Sequence, residues 1–424
     1  MTAAPPAADP TRSWRALLLS ALVAIIPIAV SVPWKAKALP ILALVITGAV
    51  MLFTRAETRL RYRIAWAIVA VCVLRFAYAV FNIAFHRLGW NELDLPAQTL
   101  IFLVTAAAFT GQLHWRAIWT FFAVTTIVLG GSCIVQRYLL GVDRASGING
   151  GDWSAIEFTM VTLCMTLFSI IRLIQPRIAV GERWLHGIAV AIGAYGAILT
   201  HSRGPMLAFV PALLIVIAVH IRRTRQWRGA LVFVGVLIVG VVTATTALDR
   251  EVVRRFSEVS GEMSTFSKDN SAGPVRERMA MWQSAWTAFR EHPVVGVGVD
   301  QFGTYTRARV ASGEASTSIA KYDHPHNEYL EAAATGGVPA LLIVLLLFAL
   351  PAVHFVRRLN DPDEWKSTLA TAGLAVITMY VLSAMTDNVF YRAMPHSFFL
   401  FLVLGFVMAT ALPPADRRDS LAEA

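Results

Sequence analysis

The sequence predicts an all-α membrane protein with about twelve transmembrane helices and one large loop outside the membrane. Of its 424 residues, 56% are hydrophobic and only 15% are charged, whereas a soluble domain carries about 25% charged residues. Apolar runs recur along the chain at close to the roughly 20 residues that a helix needs to cross the hydrocarbon layer. These observations leave little of the chain for a soluble core.

The apolar runs are separated by charged residues, glycine or proline, which end regular elements. We expect the first helix to be retained, because its apolar run is longer than the 7–15 residues typical of a signal peptide; cleavage after Ala36-Lys37-Ala38 is the alternative. No disulfide framework is expected, because every cysteine lies inside an apolar run: Cys72, Cys133 and Cys164. The predicted spans are 16–34, 38–53, 64–81, 96–113, 117–135, 155–174, 185–200, 205–220, 229–247, 337–356, 368–387 and 396–412.

The distribution of Lys and Arg predicts the orientation. With the N-terminus in the cytoplasm, the cytoplasmic loops and both tails hold 19 Lys and Arg against 9 Asp and Glu, and the short periplasmic loops hold only 7 Lys and Arg. Positive residues collect on the cytoplasmic side of membrane proteins. The cytoplasmic excess equals the whole net charge of +10, so nucleic-acid binding is not needed to explain the basic composition.

Residues 248–336 interrupt the pattern of spans, since they contain no run of membrane length. They hold 10 Lys and Arg and 12 Asp and Glu, and fall on the periplasmic side in this orientation. The chain therefore divides into nine spans (1–247), a periplasmic loop (248–336), and three spans with a cytoplasmic tail (337–424). Within the loop, helical periodicity predicts a helix over 276–292 and a shorter one over 327–335.

Three motifs of the loop occur in a fixed order. Arg278 stands four positions before Trp282, and the turn Pro293-Val294-Val295-Gly296-Val297-Gly298 follows. His324-Pro325-His326-Asn327-Glu328-Tyr329-Leu330 then leads directly into the next predicted span. Together these motifs resemble the signature of the O-antigen ligase and polymerase superfamily, and the many-span topology with a late periplasmic loop extends the resemblance over most of the chain.

The resemblance implies a GT-C-like glycosyltransferase of the bacterial inner membrane that needs neither metal nor cofactor. Its donor would be a glycan on undecaprenyl pyrophosphate, and in the ligase branch its acceptor would be a sugar hydroxyl of lipid A-core. The residue chemistry suits this reaction: histidine can remove a hydroxyl proton near neutral pH, and arginine can hold a departing pyrophosphate without losing its charge.

His326 is the predicted catalytic base, because Asn327 and Leu330 complete the family motif around it. His324 and Asn327 are predicted to support it. The alternatives are a histidine that caps a helix and a zinc site, since His324 and His326 form an H-x-H pair beside Asp323. We expect no metal.

Arg278 and Arg203 are the predicted ligands of the donor pyrophosphate. Arg278 matches the family arginine ahead of Trp282; the alternative is a solvated position on an amphipathic helix. Arg203 follows Ser202 in a turn that resembles the Ser-Arg-Gly element of the superfamily. A helix starting there would add its own N-terminal anion site; the alternative is an arginine that reaches lipid headgroups.

Arg75 is predicted as a third donor ligand, because a charge well inside a span is costly and usually functional. It could instead pair with a carboxylate. Asp387, Asn388 and Arg392 lie at another short periplasmic turn. They are predicted to position the residues of the site without contacting the substrate themselves.

The predicted function is transfer of a whole glycan to lipid A-core. An O-antigen polymerase and a protein O-oligosaccharyltransferase of the same superfamily are the alternatives, and a lipid-glycan transporter is the alternative from another class. A single large loop favours the ligase over the polymerase. Against a transporter, the residues capable of chemistry collect at one membrane interface, whereas transporter sites lie near the bilayer midplane.

Overall fold

A computed structural model describes residues 14–32, 38–148, 154–176, 178–225, 227, 235 and 273–412. Regular structure in these ranges is helical and includes three short 3₁₀ turns. The α-helices are α1 (Trp14–Val30), α2 (Ala38–Thr54), α3 (Ala56–Ile64), α4 (Trp66–His86), α5 (Asp94–Thr105), α6 (Trp115–Tyr138), α7 (Ala155–Leu173), α8 (Val180–Leu199), α9 (Arg203–Thr224), α10 (Pro274–Glu291), α11 (Phe302–Ala311), α12 (Glu328–Arg358), α13 (Glu364–Ser383) and α14 (Ala393–Thr410).

The all-α, multi-pass architecture is confirmed. Within the described ranges, eight helical segments are long and apolar enough to cross a membrane: α4, Trp90–Thr110 around α5, α6, α7, α9, α12, α13 and α14. A ninth results if α2 and α3, which meet at an angle of 96°, form one broken span. The predicted number of about twelve is not confirmed. Helices α1 and α8 coincide with predicted spans but are not among the eight, and the predicted span 229–247 lies outside the described residues.

Two helices form the centre of the bundle. In α7 and α14, 89% and 94% of the membrane-length window is buried by other helices, against 33% in α4, α9 and α12. The outer helices expose apolar side chains, as a lipid-facing surface requires. Aromatic rings fill the interior, with Phe168 of α7 packed against Trp119, Phe122 and Phe406 at centroid distances of 5.6–5.9 Å.

The described part of the predicted loop, from residue 273, folds as helices that pack onto α12. The predicted helix over 276–292 is confirmed as α10, with Pro274 in its first turn. The predicted helix over 327–335 and the span that follows it are the two arms of α12, which bends at Gly337, where φ is 64°. A bend at a non-helical glycine lets the first arm cover the end of the bundle while the second arm continues through it.

The glycine-containing turn locks the loop against this bend. A Cβ on Gly296 would lie 2.2 Å from the Thr335 carbonyl carbon, and one on Gly337 would lie 2.5 Å from the Pro293 carbonyl oxygen. Both glycines also have positive φ, at 66° and 64°. Only glycine combines this conformation with so close a backbone approach, so the P-x-x-G-x-G and Gly-Gly motifs belong to one contact.

Helix α4 holds the other side of the turn. Asn82 donates its Nδ2 to the Val295 carbonyl at 2.8 Å and accepts from the Val299 amide at 2.9 Å. Tyr78 donates its hydroxyl to the Gly336 carbonyl at 2.6 Å. The glycine turn of the loop is therefore fixed to α4 beside the bend of α12 at Gly336 and Gly337.

Candidate active site

The His-Asn motif meets the turn between α13 and α14. Asn327 caps α12, because its side chain accepts from the amides of Tyr329 and Leu330 at 3.1 Å. Its own amide donates to Asn388 Oδ1 at 2.8 Å, and its Nδ2 donates to the Met385 carbonyl at 3.1 Å. The predicted supporting residue Asn327 thus joins two segments 61 positions apart.

His326 and Asp387 form a hydrogen-bonded pair, called the dyad below. His326 Nδ1 lies 2.9 Å from Asp387 Oδ1, and the side chains are 22% and 5% exposed. In a neutral ring that donates from Nδ1, the lone pair is on Nε2, which can accept a proton. Asp387 was predicted only as a supporting residue; its position makes it the group that orients His326.

The carboxylate of Asp387 is ionised in this setting. Burial raises its pKa, but the interaction with His326, first of all the hydrogen bond, and the nearby charge of Arg278 outweigh that effect and hold the pKa below its usual value. An ionised Asp387 can stabilise the imidazolium that forms when His326 accepts a proton.

The backbone is strained at the same place. His326 has φ of 52° and His201 has φ of 53°, in the left-handed region that non-glycine residues rarely adopt. Such strain costs about 1–3 kcal/mol per residue and collects at functional sites. The fold therefore holds His326 in a conformation that its sequence does not favour locally.

His324 contacts both the dyad and an aromatic wall. Its ring lies 4.4 Å from the His326 ring and 4.3 Å from the Tyr391 ring, measured between centroids. Burial, with a smaller contribution from His326, lowers the pKa of His324 to about 4. His324 is therefore neutral near pH 7, which fits a supporting role better than that of a charged group.

The same three side chains could hold a cation. His324, His326 and Asp387 each offer one ligand atom, and these atoms lie within 4.8 Å of one another. Within the described chain, His324 Nδ1 and Asp387 Oδ2 are buried without a hydrogen-bond partner. Imidazole and carboxylate are zinc ligands, so the metal-free site stays a prediction.

Helix α10 places Arg278 beside the dyad. Trp282 donates its Nε1 to the Pro325 carbonyl at 3.1 Å, which fixes α10 to the segment that carries both histidines. Arg278 lies one turn earlier on this helix and is half-buried. No ion pair joins it to a carboxylate among the residues described, so its charge is available to a ligand. In the Arg-x-x-x-Trp motif, Trp282 therefore anchors α10 and Arg278 supplies a half-buried positive charge.

The start of α9 reaches the same turn. Ser202 precedes the helix and is buried, and Arg203 is its first residue. A Cβ on Gly204 would lie 2.6 Å from Thr386 Oγ1, next to Asp387 in the chain. Arg144 donates its Nε to the Thr200 carbonyl at 2.9 Å and shapes the preceding turn. The N-terminus of α9, which favours anions, is thus close to the dyad.

Arg75 lies in a different environment. Its Nη1 contacts Thr99 Oγ1 at 3.2 Å and His396 Nε2 at 2.6 Å, and its guanidinium lies 5.0 Å from the Phe390 ring centroid. It lines a cavity between α4, α5 and α12. These contacts do not join it to Arg203 or Arg278, so its role in donor binding stays a prediction.

Sequence reasoning missed two residues near the site. Glu157, at the start of α7, lies 3.4 Å from Arg392 and is 4% exposed at its side chain. The sequence does indicate Glu157, because a carboxylate inside an apolar run is usually functional. Tyr391 carried no signal, because an aromatic residue beside a transmembrane segment is common at membrane interfaces.

Comparison with known proteins agrees with this geometry. The family model described as O-antigen ligase matches residues 188–345, from α8 to the middle of α12. An uncharacterized protein of Haemophilus influenzae is 18% identical over 326 residues, which cover 74% of this chain and 80% of that relative. The resemblance drawn from the motifs is confirmed, because residues 188–345 match the O-antigen ligase family model and contain all three motifs.

Proposed function

We propose that this protein is an O-antigen ligase of the bacterial inner membrane, which transfers a glycan from undecaprenyl pyrophosphate to lipid A-core. The observation that carries the proposal is the His326–Asp387 dyad, 2.9 Å between Nδ1 and Oδ1, beside the N-terminus of α9 and Arg278, which forms no ion pair with a carboxylate among the described residues. A base and an anion site meet at one end of the bundle.

The donor pyrophosphate lies against Arg203, Arg278 and the amides that open α9 in this proposal. Arginine presents a planar fork to phosphate oxygens and keeps its charge throughout the reaction. Positive groups aimed at the leaving pyrophosphate stabilise the negative charge that develops there as the glycosidic bond breaks. Arg75 is proposed as a more distant ligand of the same lipid.

His326 acts on the acceptor. Its Nε2 removes the proton from the attacking sugar hydroxyl while that oxygen bonds to the anomeric carbon. The bond from that carbon to the pyrophosphate breaks, and undecaprenyl pyrophosphate leaves with the electron pair. Asp387 stabilises the imidazolium, which then gives up its proton to solvent. Attack from the face opposite the leaving group inverts the anomeric centre.

The orientation predicted from the positive residues places this chemistry in the periplasm and both termini in the cytoplasm. The donor and acceptor are both lipid-anchored in the membrane, and the dyad lies where α12 enters the bundle. We propose no metal and no other cofactor for the reaction.

Purified protein tests the proposal. Wild-type protein in detergent should convert lipid A-core to the glycan-bearing product when it receives the undecaprenyl-pyrophosphate-linked glycan, and His326→Ala should form no product while still binding the donor. Elongation of one lipid-linked glycan by another would identify a polymerase instead. Movement of the donor across vesicles without product would identify a transporter. Normal transfer by His326→Ala would exclude His326 as the base.

A further inference from the structure

The cavity that Arg75 lines lies beside the dyad. It has a volume of about 420 Å³ and is bounded by α4, the segment that opens α5, the first arm of α12 and the turn before α14. Its walls include the rings of Tyr78, Phe390 and Tyr391, and its base is apolar at Ile343 and Val344. A cavity of this size and lining suits a sugar ring, which packs its C–H face on aromatic side chains.

The cavity is acidic. Of the described residues that line it, five carry carboxylates and one carries a positive charge, Arg75; the carboxylates belong to Glu92, Asp94, Asp300, Glu328 and Glu331. The Glu328 carboxylate accepts from the Phe390 amide at 3.0 Å, so it has a structural partner. Burial and the neighbouring Glu92 carboxylate raise the pKa of Asp300 to about 6, so Asp300 is mostly ionised near pH 7.

One of these carboxyl groups, that of Glu331, has an oxygen that a ligand could hydrogen-bond. Glu331 Oε2 is buried and has no hydrogen-bond partner in the part of the chain that the structure describes. A buried acceptor without a partner costs about 1–3 kcal/mol unless a ligand satisfies it. Asp300, at the loop side of the cavity, has φ of 58°, so strain marks this position too.

The cavity and the dyad share walls. The Tyr391 ring lines the cavity and contacts the His324 ring at 4.3 Å, and His324 contacts His326 at 4.4 Å. Asn388 also lines the cavity and accepts from the Asn327 amide at 2.8 Å. A sugar in the cavity would therefore lie next to the catalytic base.

The surroundings of the dyad and the cavity differ in charge. Arg278 and the N-terminus of α9, which favour pyrophosphate, do not line the cavity, whose carboxylates disfavour an anion. Two unit charges about 6 Å apart at a high effective dielectric interact by an energy equal to about a tenfold change in affinity. Carboxylates accept hydrogen bonds from sugar hydroxyls, so they favour binding of a sugar. They disfavour binding of a phosphate or a uronate, which carries a negative charge.

We propose that this cavity binds the terminal sugar of the acceptor and selects a neutral or amino sugar over an anionic one. The inference rests on the proposed function and specifies the acceptor that the same site uses. Glu331 and Asp300 accept hydrogen bonds from the sugar hydroxyls, or from an amino group, and hold one hydroxyl toward His326.

Transfer assays with competing sugars test the assignment. Methyl glucoside, methyl glucosaminide and methyl glucuronide have the same ring and differ in charge. With wild-type protein the first two should inhibit transfer competitively against lipid A-core and not against the lipid-linked donor, and the glucuronide should inhibit at least about tenfold less well. Equal inhibition by the glucuronide would overturn the proposal.

Variants connect the selectivity to the carboxylates. Glu331→Gln and Asp300→Asn should raise the acceptor KM with little change in kcat or donor affinity, and Asp300→Asn should also weaken discrimination against the glucuronide. Asparagine tolerates the positive φ of Asp300. Glu314→Gln is the matched control, because Glu314 pairs with Arg309 at 3.3 Å on the loop surface and does not line the cavity. It should behave as wild type.

The outcomes separate the two proposals. If wild-type protein forms no product, the proposed function and the acceptor site both fail. If wild-type protein transfers glycan and His326→Ala does not, but neither carboxylate variant changes the acceptor KM or the discrimination, the acceptor site alone fails. If none of the glycosides inhibits transfer, the acceptor KM of Glu331→Gln and Asp300→Asn decides whether the cavity is the acceptor site.

Discussion

Replacement of Asp387 by asparagine tests the dyad most directly. The carboxylate lies 2.9 Å from His326 Nδ1 and is 5% exposed, and it stabilises both the Nδ1–H tautomer and the imidazolium. Two unit charges about 4 Å apart at an effective dielectric of about 20 interact by about 4 kcal/mol, which corresponds to a factor of about 10³ in rate. Asparagine can also donate to Nδ1, and the proton would then occupy the Nε2 that must act as base.

Asp387→Asn should therefore lower the transfer rate by about 10²–10⁴, the range that general-base catalysis supplies. Donor binding should persist, because Arg203 and Arg278 are unchanged. Single-turnover transfer from a radiolabelled lipid-linked glycan, measured beside donor binding, gives both quantities.

The matched control is Asp323→Asn. Asp323 lies close to the histidines in sequence, but its carboxylate is 59% exposed and pairs with Arg307 at 2.8 Å. This variant should transfer glycan at nearly the wild-type rate. The reasoning is refuted if Asp387→Asn is as active as wild type, or if Asp323→Asn loses as much activity as Asp387→Asn does.

Four further predictions follow from the structure. Arg278→Lys and Arg203→Lys should slow transfer and the alanine variants should lose about 10²–10³ in rate; near-normal rates for both alanine variants at normal membrane levels would remove the pyrophosphate role. Activity should survive strong chelation, whereas loss with rescue by one divalent ion would make His324 a metal ligand. An impermeant thiol reagent should label Ser312→Cys in cells with a permeabilised outer membrane and should not label Asn360→Cys, and the reverse pattern would invert the topology. Burial lowers the pKa of His324 from 6.5 to about 4, so the unfolded chain binds this proton at a higher pH than the folded protein does. As the pH falls from 6.5 to 4, wild-type protein should therefore lose thermal stability relative to His324→Gln. Melting temperatures of the two proteins that change in parallel with pH would contradict this.

The contacts of Arg75 change how this intramembrane arginine is interpreted. Sequence reasoning predicted Arg75 as a donor ligand beside Arg203 and Arg278 because a charge well inside a span is costly and usually functional. The contacts of Arg75 with Thr99, His396 and Phe390 instead place it on the wall of the acidic cavity. There it limits the negative charge of the cavity, and it can be tested separately from the pyrophosphate ligands.

Much of this protein follows from local properties of the sequence. Length and apolarity predict the all-helical, multi-pass character but not the number of spans, because a helix in lipid must satisfy its own backbone and expose apolar side chains. The helix over residues 276–292 followed from its periodicity and flanking prolines, and the His-Asn motif followed from its order relative to Arg278 and the glycine turn. These features depend on residues close together in the chain.

The partners of these motifs were decided only by the tertiary structure. Asp387 lies 61 positions from His326, and nothing local distinguishes it from Asp323 or Glu328, which stand closer to the histidine. The pairing arises because the Asn327 cap binds the turn between α13 and α14, and because Gly296 and Gly337 allow the loop to approach the bend in α12. The carboxyl groups of the acidic cavity likewise come from three separate segments of the chain. None of these segments by itself indicates a shared cavity. Spatial convergence depends on packing between distant helices, and a single sequence carries no local signal for it.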